Sequence, residues 1–408
     1  QLLKRRQKLV KSAFIRAWQG YKDYAWGADE VTPVTEKYNN HFNGWGATVI
    51  DSLDTLLIMG LSTVGVGLVP SSATIGLAAP IILLILRVFQ GFAVGGEWAG
   101  SALLSAEYAP AGKRGMYGMF TQLGAGAGLA VSNLVVLIAN VTIGEKSPVF
   151  LDWGWRLPFL FSAVLLAVAL YVRLTIDETP VFVAEQKRGT VPRAPFGELV
   201  RRQSKQVLLG AGCMVGIFTM SFLGGTYLMS YASTRIHHPR TLILSVGVLA
   251  GVSLMVFSAI SAVLCDRYGR RRVILVGFGL ALPWAFLVMP LIDSGSPVAF
   301  AVAIAGIFCI FGLAYGPIGA FLPETFATRY RYTGAGMAFN LAGIVGGALP
   351  PLVAGPLVAA LGSWAVGLMI AVFVLVSIVC TLVLPETRGS ELDDARGDMP
   401  DEDALAAC

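Results

Sequence analysis

From residue 56 onward apolar residues run in long blocks, broken at short intervals by Pro, Gly and clusters of charge. Reading those breaks as ends predicts helices at roughly 56–69, 77–108, 116–141, 155–175, 206–232, 241–264, 272–292, 297–321, 334–361 and 364–384. Segments apolar on every face have no aqueous side. The first is short for a span that needs about 20 residues, and the longest must tilt or protrude. Before residue 56 the pattern differs. Val10, Phe14, Ala17, Trp18 and Tyr21 recur at helical spacing among charged residues, which predicts a soluble amphipathic helix over 4–24. No apolar run follows the basic start, so it does not read as a secretory signal. The polar stretch 176–205 divides four spans from six, and the acidic tail 385–408 reads as disordered.

Composition sharpens this. Of 408 residues, 55% are hydrophobic and only 13% are charged, too few to cover a soluble globule. The fold class is therefore all-α: a polytopic membrane bundle of about ten helices, four plus six, after a soluble N-terminal segment. Its partner is the lipid bilayer. Five scattered Cys without a CxxC and three His argue against a disulfide framework or a zinc site, so no metal, cofactor or nucleic acid is expected. With the loop at 109–115 cytoplasmic, the inner side carries 17 Lys and Arg against 4 outside, which places the C-terminus in the cytoplasm.

An internal repeat is legible. Glu107 and Arg114 stand seven apart after the second span, and Glu324 and Arg331 stand seven apart after the eighth. DETP at 177–180 and PETR at 385–388 close the two halves. Parallel repeats of this kind are a transporter pattern. The second half also holds CDRYGRRR at 265–272. Its counterpart should lie near residue 49, where the chain reads ATVIDSLDTLL. The repeat thus predicts a first half that lacks its first two helices, with residues 1–55 in their place.

DRYGRRR, together with FQGFAVGGEWAGSALLSAEYAPAGKRG at 89–115, resembles the major facilitator superfamily. Gly91, Gly95, Glu107 and Arg114 fit its sugar-porter signature. LRVFQGFAVGGEW, DETPVF and PETRG resemble the metabolite:proton symporter branch, whose members move osmolytes, citrate, shikimate and similar small polar solutes. Ala262 departs from the usual Gly. The resemblance covers about 56–408. It implies alternating access around a midplane site, with a small polar solute and protons as partners, in a plasma (inner) membrane, as a monomer.

Asp266, Arg267, Gly269, Arg270 and Arg271 lie on a short turn between spans. With Glu107, Arg114, Glu324, Arg331, Glu386 and Arg388 they are candidates for an inner gate of ion pairs that forms in one state and breaks in the other. For the arginines, plain positive-inside anchoring is the alternative. Arg87 and Glu97 fall within a span, where charge is costly, and are the proton-coupling candidates. Arg87 matches an Arg of proton-coupled sugar porters whose partner acid sits on the first helix. Glu97 reads as a proton site, a site for a cationic solute, or a structural hydrogen-bonding group. Gln122, Asn133, Tyr227, Tyr315 and Asn340 are cavity candidates, or else polar contacts between helices. Gly224–Gly225 is a place where a helix could break at a gate.

The first 61 residues resemble a different family. RRQKLVKSAFIRAWQGYKDYAWGADEVTPV and FNGWGATVIDSLDTLLIMGL are similar to the opening of class I α-1,2-mannosidases, glycoside hydrolase family 47. Asp29 and Glu30 match that family's DE, but glycoside hydrolysis needs two carboxyl groups about 5–9.5 Å apart across the bond. No catalytic residues are assigned. The string LLIMGLST at 56–63 suits both families, so the chain reads as two sequences joined there. The expected layout is a mannosidase-like helical fragment (1–55), a truncated first half (56–175), a cytoplasmic linker (176–205), a second half (206–384) and a tail (385–408). The expected function is secondary transport, impaired by the missing helices. The alternatives are a tethered mannosidase fragment and a non-functional hybrid.

Overall fold

The structure, a computed structural model, describes residues 30–32, 37–39, 55–107, 109–110, 112–144, 147–173, 195–327 and 330–389. The helix expected over 4–24, most of the linker and the tail beyond 389 lie outside those residues. Within the segment 1–55, β1 (Glu30–Thr32) pairs antiparallel with β2 (Lys37–Asn39). All other described elements are helical.

The helices are α1 (Thr55–Leu68), α2 (Ser72–Ile75), α3 (Ala78–Glu107), α4 (Arg114–Ile143), α5 (Pro148–Asp152) and α6 (Leu157–Arg173), then α7 (Pro195–Phe222), α8 (Leu228–Thr234), α9 (Arg240–Tyr268) and α10 (Arg270–Asp293). They continue with α11 (Pro297–Tyr315), α12 (Ile318–Glu324), α13 (Arg331–Ala342), α14 (Leu349–Leu361) and α15 (Trp364–Val383). Among the described residues seven helices are long and apolar enough to cross a membrane, and Ile58–Leu68, Ala78–Gly91 and Gly154–Val168 are shorter apolar segments. Their outer faces are apolar: Leu84, Val276, Val298 and Leu352 are all more than half exposed, as hydrocarbon contact requires.

Two spans carry π turns. Leu223–Tyr227 joins α7 to α8, so Gly224–Gly225 widens the helix instead of breaking it; Gly343–Ala348 joins α13 to α14. The stretch expected as linker up to residue 205 is helical from Pro195, with a kink at Gln203. Leu199 is fully buried there while Arg201 and Arg202 face out, an amphipathic face that the polar composition conceals. Arg156 donates to the Gly67 carbonyl at 2.9 Å and to that of Val69, satisfying orphan carbonyls at the end of α1.

The helices before residue 174, α1 to α6, meet the later ones chiefly through α4 against α9. Small residues let the backbones touch. A Cβ on Gly251 would lie 2.4 Å from the Ala130 nitrogen, and one on Gly126 would lie 2.9 Å from the Gly251 carbonyl oxygen. The main core lies in the second half, under α7, α9, α10, α11 and α15.

Candidate functional site

Charged residues gather at one end of the bundle, where α4, α10 and α13 begin and α9 and α12 end. Asp266, in the last turn of α9, accepts the Gly115 and Met116 amides of α4, each at 2.9 Å. A carboxylate on a helix N-terminus satisfies free N–H groups and complements the positive end of the dipole. It also ties the two halves together. Glu386 does the same for α10, accepting the Arg270 and Arg271 amides at 2.9 and 3.1 Å. Gly269 sits between the two caps with φ +102°, and a Cβ there would lie 2.7 Å from Glu386 Oε2. Glycine in DRYGRRR is thus demanded twice over.

Glu324 is the centre of this end. Its buried carboxylate lies 3.3 Å from Arg270 Nε, 4.0 Å from Arg114 and 2.5 Å from the Thr387 hydroxyl that donates to it. Arg270 also pairs with Asp266 at 3.3 Å. Two arginines and two acids therefore meet across the seam, Arg270 and Glu324 buried and Arg114 and Asp266 half-buried, with Arg114 from the first half and the rest from the second. A buried ion pair is weak net glue but costly to leave half-broken. Rocking the halves apart admits water to both partners at once, so such a cluster suits two alternative states.

About 12 Å further along α4 lies a hydrogen-bonded plug. The buried Gln122 accepts from Trp98 Nε1 at 3.2 Å and donates to the Tyr315 carbonyl at 3.1 Å. Trp98 stacks on Phe339, with centroids 4.3 Å apart, which joins α3 to α13. Beyond the plug a cavity of about 360 Å³ opens between the halves. Leu129 and Ser132 of α4 face Phe218 and Ser221 of α7, Phe308, Phe311 and Tyr315 of α11, and Phe339 of α13. Gly225, in the first π turn, lines it too.

The structure brings Arg114, Asp266, Gly269, Arg270, Glu324 and Glu386 together. Arg271 joins through its backbone amide and donates its guanidinium to the Leu382 carbonyl. Arg331 is buried and donates to the Pro323 carbonyl at 3.1 Å. Arg267 lies over the Tyr268 ring, and Arg388 reaches Glu386 through its amide. The side chains of Glu97 and Glu107 lie outside the described residues. Arg87 is exposed on α3 and donates to Gln90, which donates to Thr63 of α1. Of the cavity candidates, Tyr315 lines the space, and Gln122 lies outside the lining, bonded to the Tyr315 carbonyl. Asn133 packs against Gly247 and donates to the Leu129 carbonyl; Asn340 donates to that of Gly336, and Tyr227 to that of Ala354. The phenylalanine lining escaped the sequence reading. Positions 308, 311 and 315 share one helical face, which was the available signal.

A family model described as Major Facilitator Superfamily matches residues 45–351, and one described as Glycosyl hydrolase family 47 matches residues 13–65. The chain is 37% identical over 369 residues to the inner membrane metabolite transport protein YhjE of Escherichia coli K12, covering 88% of this chain and 82% of that protein. It is 35% identical to the shikimate transporter of the same organism (82% and 77%) and 33% identical to its proline/betaine transporter (74% and 61%). Its structure is similar to that of the proton:xylose symporter XylE, with a TM-score of 0.66, 18% identity and coverage of 86% and 83%.

Proposed function

This chain belongs to the major facilitator superfamily, and we propose that it carries a small polar metabolite together with a proton across a bacterial inner membrane. It is a multi-pass integral membrane protein of a transporter family and not an enzyme. The observation that carries the reading is the layering of the site: a cavity between the halves, a hydrogen-bonded plug beside it, and further along an ion cluster that spans the seam around the buried Glu324–Arg270 pair. In this reading a solute resting in that cavity reaches the arginine-rich end when plug and cluster part. Relatives named for shikimate and for proline and betaine support a small organic solute.

Arg87 and Glu97, on the α3 span, are the coupling groups in this reading. The arginine-rich end and the C-terminus face the cytoplasm, and the protein works as a monomer. Among the described residues the first half supplies four apolar helical segments, of which Arg114–Ile143 alone is long enough to span, and its sequence holds no counterpart of DRYGRRR; both support slow transport. The two family matches overlap at residues 45–65, which supports a join between unrelated sequences there. Sequencing the transcript across that stretch tests the join, and one continuous natural message with no second parent sequence overturns it.

The test of carriage uses the purified chain in liposomes with an inward proton gradient and a panel of radiolabelled organic acids, betaines and amino acids. Accumulation of at least one solute, abolished by a protonophore and cut at least tenfold in Glu97→Gln, is expected. Signals equal to those of empty vesicles across the panel refute carriage, and accumulation indifferent to the protonophore refutes coupling.

A further inference from the structure

Resting on the transport reading, we infer that Glu324 is a second proton-binding site, apart from the coupling groups of α3, and that a proton held there loosens the seam between the halves. The carboxylate is buried, and its partners are of two kinds. Two are arginines, which can only donate. Arg270 Nε stands 3.3 Å from Oε2, Arg270 Nη2 donates to Oε1 at 3.4 Å, and Arg114 Nη1 stands 4.0 Å from Oε1. All three are long beside charge-assisted bonds, which close to about 2.7–2.9 Å. The other partner is neutral and near: the Thr387 hydroxyl donates to Oε2 at 2.5 Å.

That division gives Glu324 two usable forms. An arginine favours the carboxylate, while burial disfavours its charge, so the two pull in opposite directions. A hydroxyl donates to a carboxylate and accepts from a carboxylic acid, so Thr387 serves both forms by turning its O–H. When a proton binds, Arg270 keeps Asp266 at 3.3 Å within the second half, but the pull of Arg114 on Glu324 is lost, and that contact crosses the seam. The Asp266 cap on α4 is untouched, so the seam is loosened and not dissolved. Other titratable groups at this end are engaged elsewhere. Glu386 accepts the Arg270 and Arg271 amides, Arg331 donates to the Pro323 carbonyl, and the Cys265 thiol donates to that of Ala262. Tyr330 is buried at the start of α13, Lys113, Arg267 and Arg272 are exposed, and the Glu107 side chain lies outside the described residues. Thr387 also marks the way out. It is buried between Glu386 and Arg388, both exposed, which puts a proton on Glu324 one hydroxyl away from water. A proton reaching Glu324 thus frees the end through which the solute leaves. Its departure to water restores the carboxylate and the pull of Arg114, and no other bond changes.

The test titrates the full chain in nanodiscs from pH 8 to pH 5 with two readouts. Infrared difference spectroscopy follows the C=O stretch of a protonated carboxyl group. Electron–electron double resonance between labels at Lys113 and Arg272, with the native cysteines replaced, follows the arginine-rich end. A carboxyl band that grows as pH falls and is missing in Glu324→Gln is expected. Over the same range the long-distance population should rise at least fivefold, and in Glu324→Gln it should be high and flat. Arg114→Gln removes a cation that favours the charged form and should raise the band's midpoint by about one pH unit. A long-distance population indifferent to pH in the unmodified chain overturns the inference, as does a band or a pH response that survives in Glu324→Gln. If Glu324→Gln fails to fold, Arg114→Gln decides, and an unmoved midpoint overturns the inference. Solute uptake without this titration leaves the transport reading standing; the titration without uptake of any solute leaves this inference standing and removes that reading.

Discussion

Gly269 shows how a single residue sets the arginine-rich end. It lies in a backbone region that side chains rarely adopt, and its hydrogen faces the Glu386 carboxylate. Holding a side-chain residue in such a conformation costs about 1–3 kcal/mol, and here the carboxylate that caps α10 must also move. Gly269→Ala is therefore expected to lower the thermal midpoint of the detergent-solubilised protein by several degrees. The loss should shrink in a Glu386→Ala background, since part of it comes from that contact. Equal midpoints for Gly269→Ala and the unmodified chain would contradict this account of the turn. Glu324 illustrates the complementary point. It is buried and held by Arg270, Arg114 and Thr387, groups distant in sequence, so no local motif shows how many partners it serves.

At the scale of elements, the seven long apolar helices and the shorter ones among the described residues were legible because lipid-facing helices are apolar all round, and their ends are marked by Pro, Gly and charge. The turn between α9 and α10 was legible for the same reason. The beginning of α7 was not: Arg201, Arg202 and Lys205 look like linker, and only the burial of Leu199 shows a helix face. The π turns were likewise hidden, since a glycine pair is compatible with a break, a close crossing or a widened turn. In the site, Gln122 and Tyr315 stood out as polar groups inside apolar helices. The phenylalanines did not, because an aromatic ring in a membrane helix looks the same whether it meets lipid or a cavity. The π turn at Gly343–Ala348 carries a prediction. A π turn holds one residue more than the α register needs and is often kept for function. Deleting Val345 should restore regular bonding, leave the protein folded by circular dichroism and gel filtration, and cut solute uptake at least tenfold. Undiminished uptake would show the turn to be incidental.

At the scale of the molecule, the ion cluster, the plug and the cavity stack along one path between the halves. At the arginine-rich end the ion cluster and the Asp266 cap join the two halves. Breaking the plug should therefore tilt the balance between states. Gln122→Leu removes two hydrogen bonds, each worth about 1 kcal/mol net, and a change of about 1.4 kcal/mol already moves a population tenfold. Electron–electron double resonance measures this directly in a background with the native cysteines replaced. One pair of spin labels, at Lys113 and Arg272, reads the arginine-rich end; a second, at Val141 and Val298, reads the other. All four positions are exposed. The unmodified chain should give a narrow, short distance for the first pair. In Gln122→Leu, and in Glu324→Gln, a longer population should appear there while the distance of the second pair shortens. Distances unchanged in both variants, or both pairs lengthening together, would contradict a carrier that opens its two ends in turn.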